Sequence, residues 1–411
     1  MKLVSQYKGL RRENYILCFG RLVTAMGAMI WPMLTMILSR KMGMSAEHIA
    51  WVMAAVGILA LPASLIGGKM ADHFNKKMNI VYLDIVSVVC YIVCAVIPLS
   101  AKTIVLMFVA ATCQNMEHPS YNALTADITV TEDRERAYSL QYLCMNLGFV
   151  MSPTIAGYLL RDYLWLAFLI SGAAIGCSVV LIFFMVKDIT PVEDTSRKAV
   201  YQTERKGEGL WTVLKENPMI VLYLLIVSGY FASYQMYNYL MPLDLARLHG
   251  DNGAVIFGSV TSVNCVVVVI FTPLFTRMFP RVTETVKTML GQILLTAGFG
   301  LFLLCLGRIP FYYAAIVILT WGEVFSTLAE SPYLTKRIPA SHRGRINGLA
   351  EVLRTGVTSV YQLLIGFVYK IGGSGSAWVT VLVIGVFFIV LCGVLVVKDR
   401  KVYRKLYHYK I

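Results

Sequence analysis

The sequence predicts an all-α integral membrane protein whose twelve transmembrane helices form two six-helix halves. Three observations lead there. The 411-residue chain is 57% hydrophobic and only 15% charged, with a mean hydropathy of +0.67, too apolar for a soluble domain of this size. Twelve stretches supply the ~20 mostly apolar residues that a membrane helix needs. One long polar segment, residues 188–216, separates six of them from the other six, as expected of an internal repeat.

The spans, numbered 1 to 12 in chain order, are residues 14–38, 47–68, 78–99, 103–126, 136–160, 164–187, 218–246, 253–276, 285–307, 311–335, 344–370 and 376–398. They define an N-terminal half (1–187), a cytoplasmic linker (188–217) and a C-terminal half with a basic tail (218–411). The formal charge of +14 would suit nucleic acid, but position decides otherwise. With the N-terminus cytoplasmic, 28 Lys and Arg fall on the inner side and 7 on the outer. A fourfold excess over short loops fixes both termini in the cytoplasm, in a cell membrane. No nucleic-acid partner is expected. Residues 1–13 are polar and basic and lead into a full-length span without a small-residue cleavage site, which reads as a retained first helix.

All nine Cys lie inside apolar spans, which argues against a disulfide framework, and no spacing suits a metal site. No phosphate-binding Gly-x-x-x-x-Gly-Lys-Ser/Thr run occurs, so no ATP and no cofactor are expected. Within the linker, Leu210-Trp211-Thr212-Val213-Leu214 reads as a short interfacial helix with Trp211 at headgroup depth.

The turn between spans 2 and 3 reads Gly67-Gly68-Lys69-Met70-Ala71-Asp72-His73-Phe74-Asn75-Lys76-Lys77. It resembles the loop between helices 2 and 3 of the major facilitator superfamily. Gly68, Asp72, Lys76 and Lys77 match that pattern; His73 stands where a fixed cation is usual and Asn75 where a glycine is. Asn is the other residue that tolerates a left-handed backbone. Two further inner loops resemble the superfamily's gate region: Pro119, Asp127, Arg134-Glu135-Arg136-Ala137 after span 4, and Pro332, Pro339, Arg343-Gly344-Arg345 after span 10. Span 5 carries Gly148-Phe149-Val150-Met151-Ser152-Pro153-Thr154-Ile155-Ala156-Gly157. This resembles the antiporter motif, with Ser152 and Ala156 replacing glycines. Gly148, Pro153 and Gly157 then serve close helix packing and a kink, which is equally what ordinary small-residue packing would give. The resemblance covers nearly the whole chain. It implies a major facilitator fold and an inner gate in which Asp72 meets the start of span 11 near Arg343 and Arg345, and Lys76 or Lys77 meets Asp127.

Ionisable residues at bilayer depth are costly and mark functional candidates. Arg21 lies roughly 12 Å into span 1 at 1.5 Å per residue. Glu117 and His118 sit mid-span 4 beside Gln114 and Asn115; Glu323 is central in span 10, with Glu330 two turns on. Arg21 balances a buried carboxylate or serves substrate; Glu117 with His118 forms a satisfied polar knot or a binding site. Glu351 and Arg354, three apart in span 11, neutralise one another, and Asp84 near the inner end of span 3 reads as structural. Tyr230, Tyr234, Tyr237 and Met241 share one face of span 7, with Gln235 and Asn238 alongside and Asn264 in span 8. Such a stripe is a packing face or an adaptable wall for organic cations.

By resemblance, spans 1, 4, 7 and 10 line a central cavity, and the nearest branch is the bacterial drug:proton antiporters. That implies a monomer exchanging a lipophilic or cationic small molecule for protons, with Glu323, Glu117 and Glu330 as coupling acids. Arg21, His118, Tyr230, Tyr234, Gln235, Tyr237, Asn238 and Asn264 would contact substrate. The rival is an uptake symporter or facilitator for a small polar metabolite, which a cavity rich in Asn and Gln would favour. A membrane enzyme or receptor-like scaffold is more remote, because no catalytic pair stands at helical spacing.

Overall fold

The structure, a computed structural model, describes residues 7–129, 133–186, 210–338 and 343–408. Every regular element among them is helical. Ten helical segments are long and apolar enough to cross a bilayer. Two features reconcile that number with twelve spans. Ala101–Asp127 has crossing length at 27 residues, but Gln114, Asn115, Glu117 and His118 dilute its hydropathy. Arg343–Val402 runs for 60 residues and breaks at Gly373, where φ 71°, ψ −171° interrupt the helix. Sixty residues of straight helix would extend about 90 Å against a hydrocarbon core of about 30 Å. The left-handed Gly373 therefore separates span 11 from span 12.

Most interior prolines leave their helices continuous: Pro62, Pro119, Pro242, Pro273 and Pro332 all lie within unbroken runs, as packing neighbours in a membrane protein permit. Pro153 is different. Span 5 stops at Phe149 and restarts as Ser152–Asp162 with proline in its first turn. Span 1 is also interrupted, as Arg12–Gly27 and Ile30–Met36 followed by a π turn, Ile37–Lys41.

The turn between spans 2 and 3 uses its Asn and Gly for a cap and a close approach. Asn75 is not left-handed: at φ −63°, ψ 115° it caps span 3, its side chain accepting from the Met78 amide at 3.0 Å. Asn is favoured there because a helix start leaves amide donors unsatisfied. The glycine that closeness demands is Gly67, where a Cβ would stand 2.1 Å from the Met116 carbonyl of span 4; Gly68 has open space.

The chain forms two compact units. Unit 1 comprises residues 1–44, 58–197 and 245–266; unit 2 comprises 45–57, 198–244 and 267–411. Each draws a short piece from the opposite half of the sequence. In unit 1, a Cβ on Gly157 would meet the Ala254 carbonyl at 2.5 Å, and one on Gly258 the Pro153 carbonyl at 2.1 Å. The span 5 motif thus packs directly on span 8, and Arg40 Nη2 reaches Asp251 Oδ1 at 2.8 Å beside this crossing. In unit 2, Lys370 Nζ lies 2.7 Å from Glu47 Oε2, and the Tyr239 hydroxyl donates to the Ala46 carbonyl at 2.6 Å.

Unit 2 has a dense apolar centre around Ile220, Tyr223, Ile226, Tyr333, Cys392 and Leu395, with Tyr223 and Tyr333 stacked at 3.6 Å. The linker helix, Leu210–Glu216, joins it: Val213 and Leu214 are buried in this cluster while Trp211 stays exposed. Below it, Arg337 and Asp399 form a buried pair at 2.6 Å, and the Tyr333 and Tyr407 hydroxyls both donate to Asp399. This ties span 10, span 12 and the tail helix Arg404–His408 together. Burial, and next the bond to Asp399, push the Tyr407 phenol up to about 12.

Candidate transport site

Both units hold polar side chains on spans made mostly of apolar ones, and the candidate residues fall in one cluster in unit 1 and another in unit 2. In unit 1, Arg21 of span 1 and Glu117 of span 4 face each other, Nη2 to Oε1, at 3.5 Å. The guanidinium lies over the Tyr121 ring at 3.6 Å from its centre. Tyr121 is anchored in turn by donating its hydroxyl to the Leu17 carbonyl at 2.6 Å. Span 4 supplies Glu117 and Tyr121 on one face because they are one helical turn apart. His118 turns away: it is exposed, with Nδ1 3.1 Å from Asn122 Nδ2. Arg21 therefore serves a buried carboxylate, that of Glu117. Asp84, read from sequence as structural, interacts electrostatically with both Arg21 and Glu117. No sequence spacing links span 3 to spans 1 and 4, so the signal available was its depth alone.

In unit 2, the Tyr234 hydroxyl of span 7 donates to Glu323 Oε2 of span 10 at 3.1 Å. Glu330, two turns along span 10, is ion-paired with Arg354 of span 11. The local pair expected between Glu351 and Arg354 exists at 3.6 Å, but Arg354 reaches Glu330 more closely and lies over the Phe231 ring at 5.0 Å. Opposite charges at matching depth in two spans were the overlooked signal. Along the span 7 stripe, Tyr230, Tyr237 and Met241 are buried, and Tyr234 is half-buried. Gln235 and Asn238 are half-buried as well, Asn238 Nδ2 donating to Gln235 Oε1 at 3.1 Å. Asn264 is buried in unit 1.

At the turn between spans 2 and 3, Lys76 Nζ stands 2.5 Å from Asp127 Oδ2. Arg136 bonds Asp133 on its own helix at 2.5 Å and the Lys8 carbonyl at 2.7 Å. Lys77 points toward the Phe183 ring, 5.7 Å away. The side chains of Asp72, Arg343 and Arg345 lie outside the described residues, as does Pro339. Gly148 packs against span 1, where a Cβ would meet Leu22 O and Ala25 Cβ, both at 2.6 Å. Among the described residues, no group of three or more His, Cys, Asp or Glu could hold a metal ion.

Ten helices long and apolar enough to cross a bilayer, with carboxylates buried among them, mark a multi-pass membrane protein. Residues 17–360 match the Major Facilitator Superfamily, and the chain belongs to it. It is 20% identical to a Na(+), Li(+), K(+)/H(+) antiporter of Planococcus maritimus over 80% of this chain and 82% of that one. It is 23% identical to multidrug resistance protein MdtH of Photorhabdus laumondii over 62% and 61%. Among solved structures, a POT family transporter in complex with a thioalcohol-conjugated peptide superposes with TM-score 0.79 at 12% identity, covering 95% of this chain and 97% of that one. At that identity the likeness shows the fold alone.

Proposed function

We propose that this chain is a proton-coupled antiporter that exports lipophilic or cationic small molecules by alternating access. The observation that carries the reading is the Tyr234–Glu323 hydrogen bond at 3.1 Å in the middle of span 10. An acid at this depth is costly to ionise when closed to water. Opening to the cytosol hydrates Glu323 and favours proton release, and a cation arriving nearby favours it further. Opening to a more acidic exterior restores the proton as cargo leaves. The two ligands compete through charge, which is the coupling that antiport requires. The antiporter and multidrug proteins among the relatives support this class.

Cargo contacts are assigned to Tyr234, Gln235 and Asn238 in unit 2 and, separately, to Arg21 and His118 in unit 1. Glu330 and Glu117, each facing a guanidinium, are the further candidates for coupling acids. Lys76–Asp127, with Lys77 and Arg136, forms the first unit's share of an inner gate. The protein works as a monomer in the plasma membrane, both termini cytoplasmic. The Gln235–Asn238 bond is the observation that favours the second reading, uptake of a small polar metabolite.

Reconstitution decides between them. Proteoliposomes with an imposed pH gradient are tested against lipophilic cations and polar metabolites, wild type beside Glu323→Gln. Proton-driven counterflow of cations, lost in the Gln variant while binding persists, is the expected result. Full gradient-driven transport by Glu323→Gln would sink the assignment.

A further inference from the structure

The charges of unit 1 do not balance. Its polar centre holds one cation, Arg21, and two acids, Glu117 and Asp84. Glu117 is 3% exposed and Asp84 8% exposed, so neither is served by bulk water. Glu117 has Arg21 at 3.5 Å. Asp84 accepts no hydrogen bond from any described side chain or amide. An ionised carboxylate so placed, in a membrane span and without a donor, is strongly unfavourable.

Among the described residues, the surrounding groups offer no second cation. From span 1 come Arg21 and Cys18; from span 4 come Cys113, Glu117, His118 and Tyr121; from span 5 comes Cys144, which meets Cys18. His118 lies near Arg21, with its Nδ1 3.1 Å from Asn122 Nδ2. A second positive charge beside that guanidinium is disfavoured by like-charge repulsion. Thiols and phenol contribute no positive charge.

We infer that Asp84 is a second protonation site: with Glu117 paired to Arg21, the centre reaches neutrality by holding one proton on Asp84. This goes beyond the antiport reading and does not depend on Glu323, which lies in the other unit. It also makes the proton conditional on the Arg21–Glu117 pair. A cargo cation that settles beside the two acids takes over the balancing charge and displaces the proton. The first half thereby gains an exchange chemistry of its own.

Charge counting gives a signature that a merely structural aspartate lacks. Infrared spectra of the purified protein in lipid nanodiscs at neutral pH are compared in a Glu323→Gln background, which removes the other candidate acid. The protonated-carboxyl band should lose the intensity of one acid in Asp84→Asn. It should lose the same intensity in Glu117→Gln, because Arg21 is then free to pair with Asp84. In Arg21→Gln it should gain one acid, since both carboxyls then need protons. An Asp84→Asn spectrum identical to its parent overturns the inference, as does a Glu117→Gln spectrum that keeps the full band. Should a variant fold poorly, dicyclohexylcarbodiimide, which attacks protonated carboxyls in membranes, is applied to the unmutated chain. Mass spectrometry should find the adduct on Asp84, and an unlabelled Asp84 overturns the proposal equally.

Discussion

The two polar centres solve the same problem with different chemistry. In the first half, Glu117 faces a guanidinium. In the second, Glu323 takes a hydrogen bond from the phenol of Tyr234, while the nearby guanidinium, Arg354, goes to Glu330. An arginine has only donors and a fixed charge, so it favours one state of the acid, the ionised one. A phenol can donate to a carboxylate and accept from a carboxylic acid, so it serves both states. An acid that must change protonation during a cycle is better matched to the second arrangement. Under the proposed antiport, the phenol partner makes Glu323 suited to that change, and the guanidinium partner makes Glu330 suited to holding its charge.

A third pair calibrates the comparison, because it is closed to solvent. Arg337 and Asp399 are wholly buried, with side chains 1% and 0% exposed, and are completed by Tyr333 and Tyr407. Arg337→Ala leaves an uncompensated buried charge, and breaking such a pair costs about 3–5 kcal/mol. Thermal unfolding in detergent should show a larger loss for this variant than for Glu323→Gln, Tyr234→Phe or Asp251→Asn. The double variant Arg337→Leu/Asp399→Leu should recover most of it. A single variant as stable as wild type would mean that the pair is not closed to water.

Next in size is Glu323→Gln, which removes the titrating group without changing shape. Gradient-driven accumulation should fall by about tenfold or more, the factor that 1.4 kcal/mol of coupling represents, while stability stays near wild type. If Glu330→Gln gives the same loss and Glu323→Gln does not, the roles of phenol and guanidinium partners are reversed.

Tyr234→Phe sharpens the contrast at lower cost. It removes one hydrogen bond, worth about 0.5–1.5 kcal/mol. Acid-dependent transport should shift its midpoint along the pH axis by up to about one unit, since 1.36 kcal/mol corresponds to one pKa unit. The bond to an ionised acid is the stronger one, so losing it should move the midpoint upward. A downward shift would show that the phenol favours the neutral acid.

The bilayer made the spans legible: it demands length, apolarity and satisfied backbone, and all three leave marks in one dimension. Individual charges were legible for the same reason. Their partners were not, since Arg21 and Glu117 stand 96 residues apart in sequence and only the packing of spans brings them together. Asp84 read as structural because its depth along its own helix says nothing of the neighbours it faces. The sequence pattern singled out Gly68 but gave no sign of the close approach at its neighbour Gly67, because one residue turns a helix by about 100° and so separates a tight face from an open one. Periodicity found the tyrosine face of span 7. It could not divide that face into buried Tyr230 and Tyr237 and half-buried Tyr234, because a face is a property of one helix and burial belongs to all its neighbours.

The smallest expected effect comes from the exposed pair Arg40–Asp251, and it tests whether charge pairing matters where water has access. The hydrogen bond and charge of Arg40 hold the Asp251 carboxyl below its ordinary range. A depressed carboxyl contributes stability that is fully present above the ordinary aspartate range and is lost as pH falls through the depressed value. The contribution should therefore be intact at neutral pH and vanish only in strong acid. It should also shrink with added salt, because both groups face solvent, with side chains 41% and 66% exposed. Asp251→Asn should lower the melting temperature at low salt by an amount at the edge of detection, and by nothing at high salt. A large, salt-independent loss would show that this pair behaves like Arg337–Asp399, and that exposure does not separate the two kinds of ion pair in this molecule.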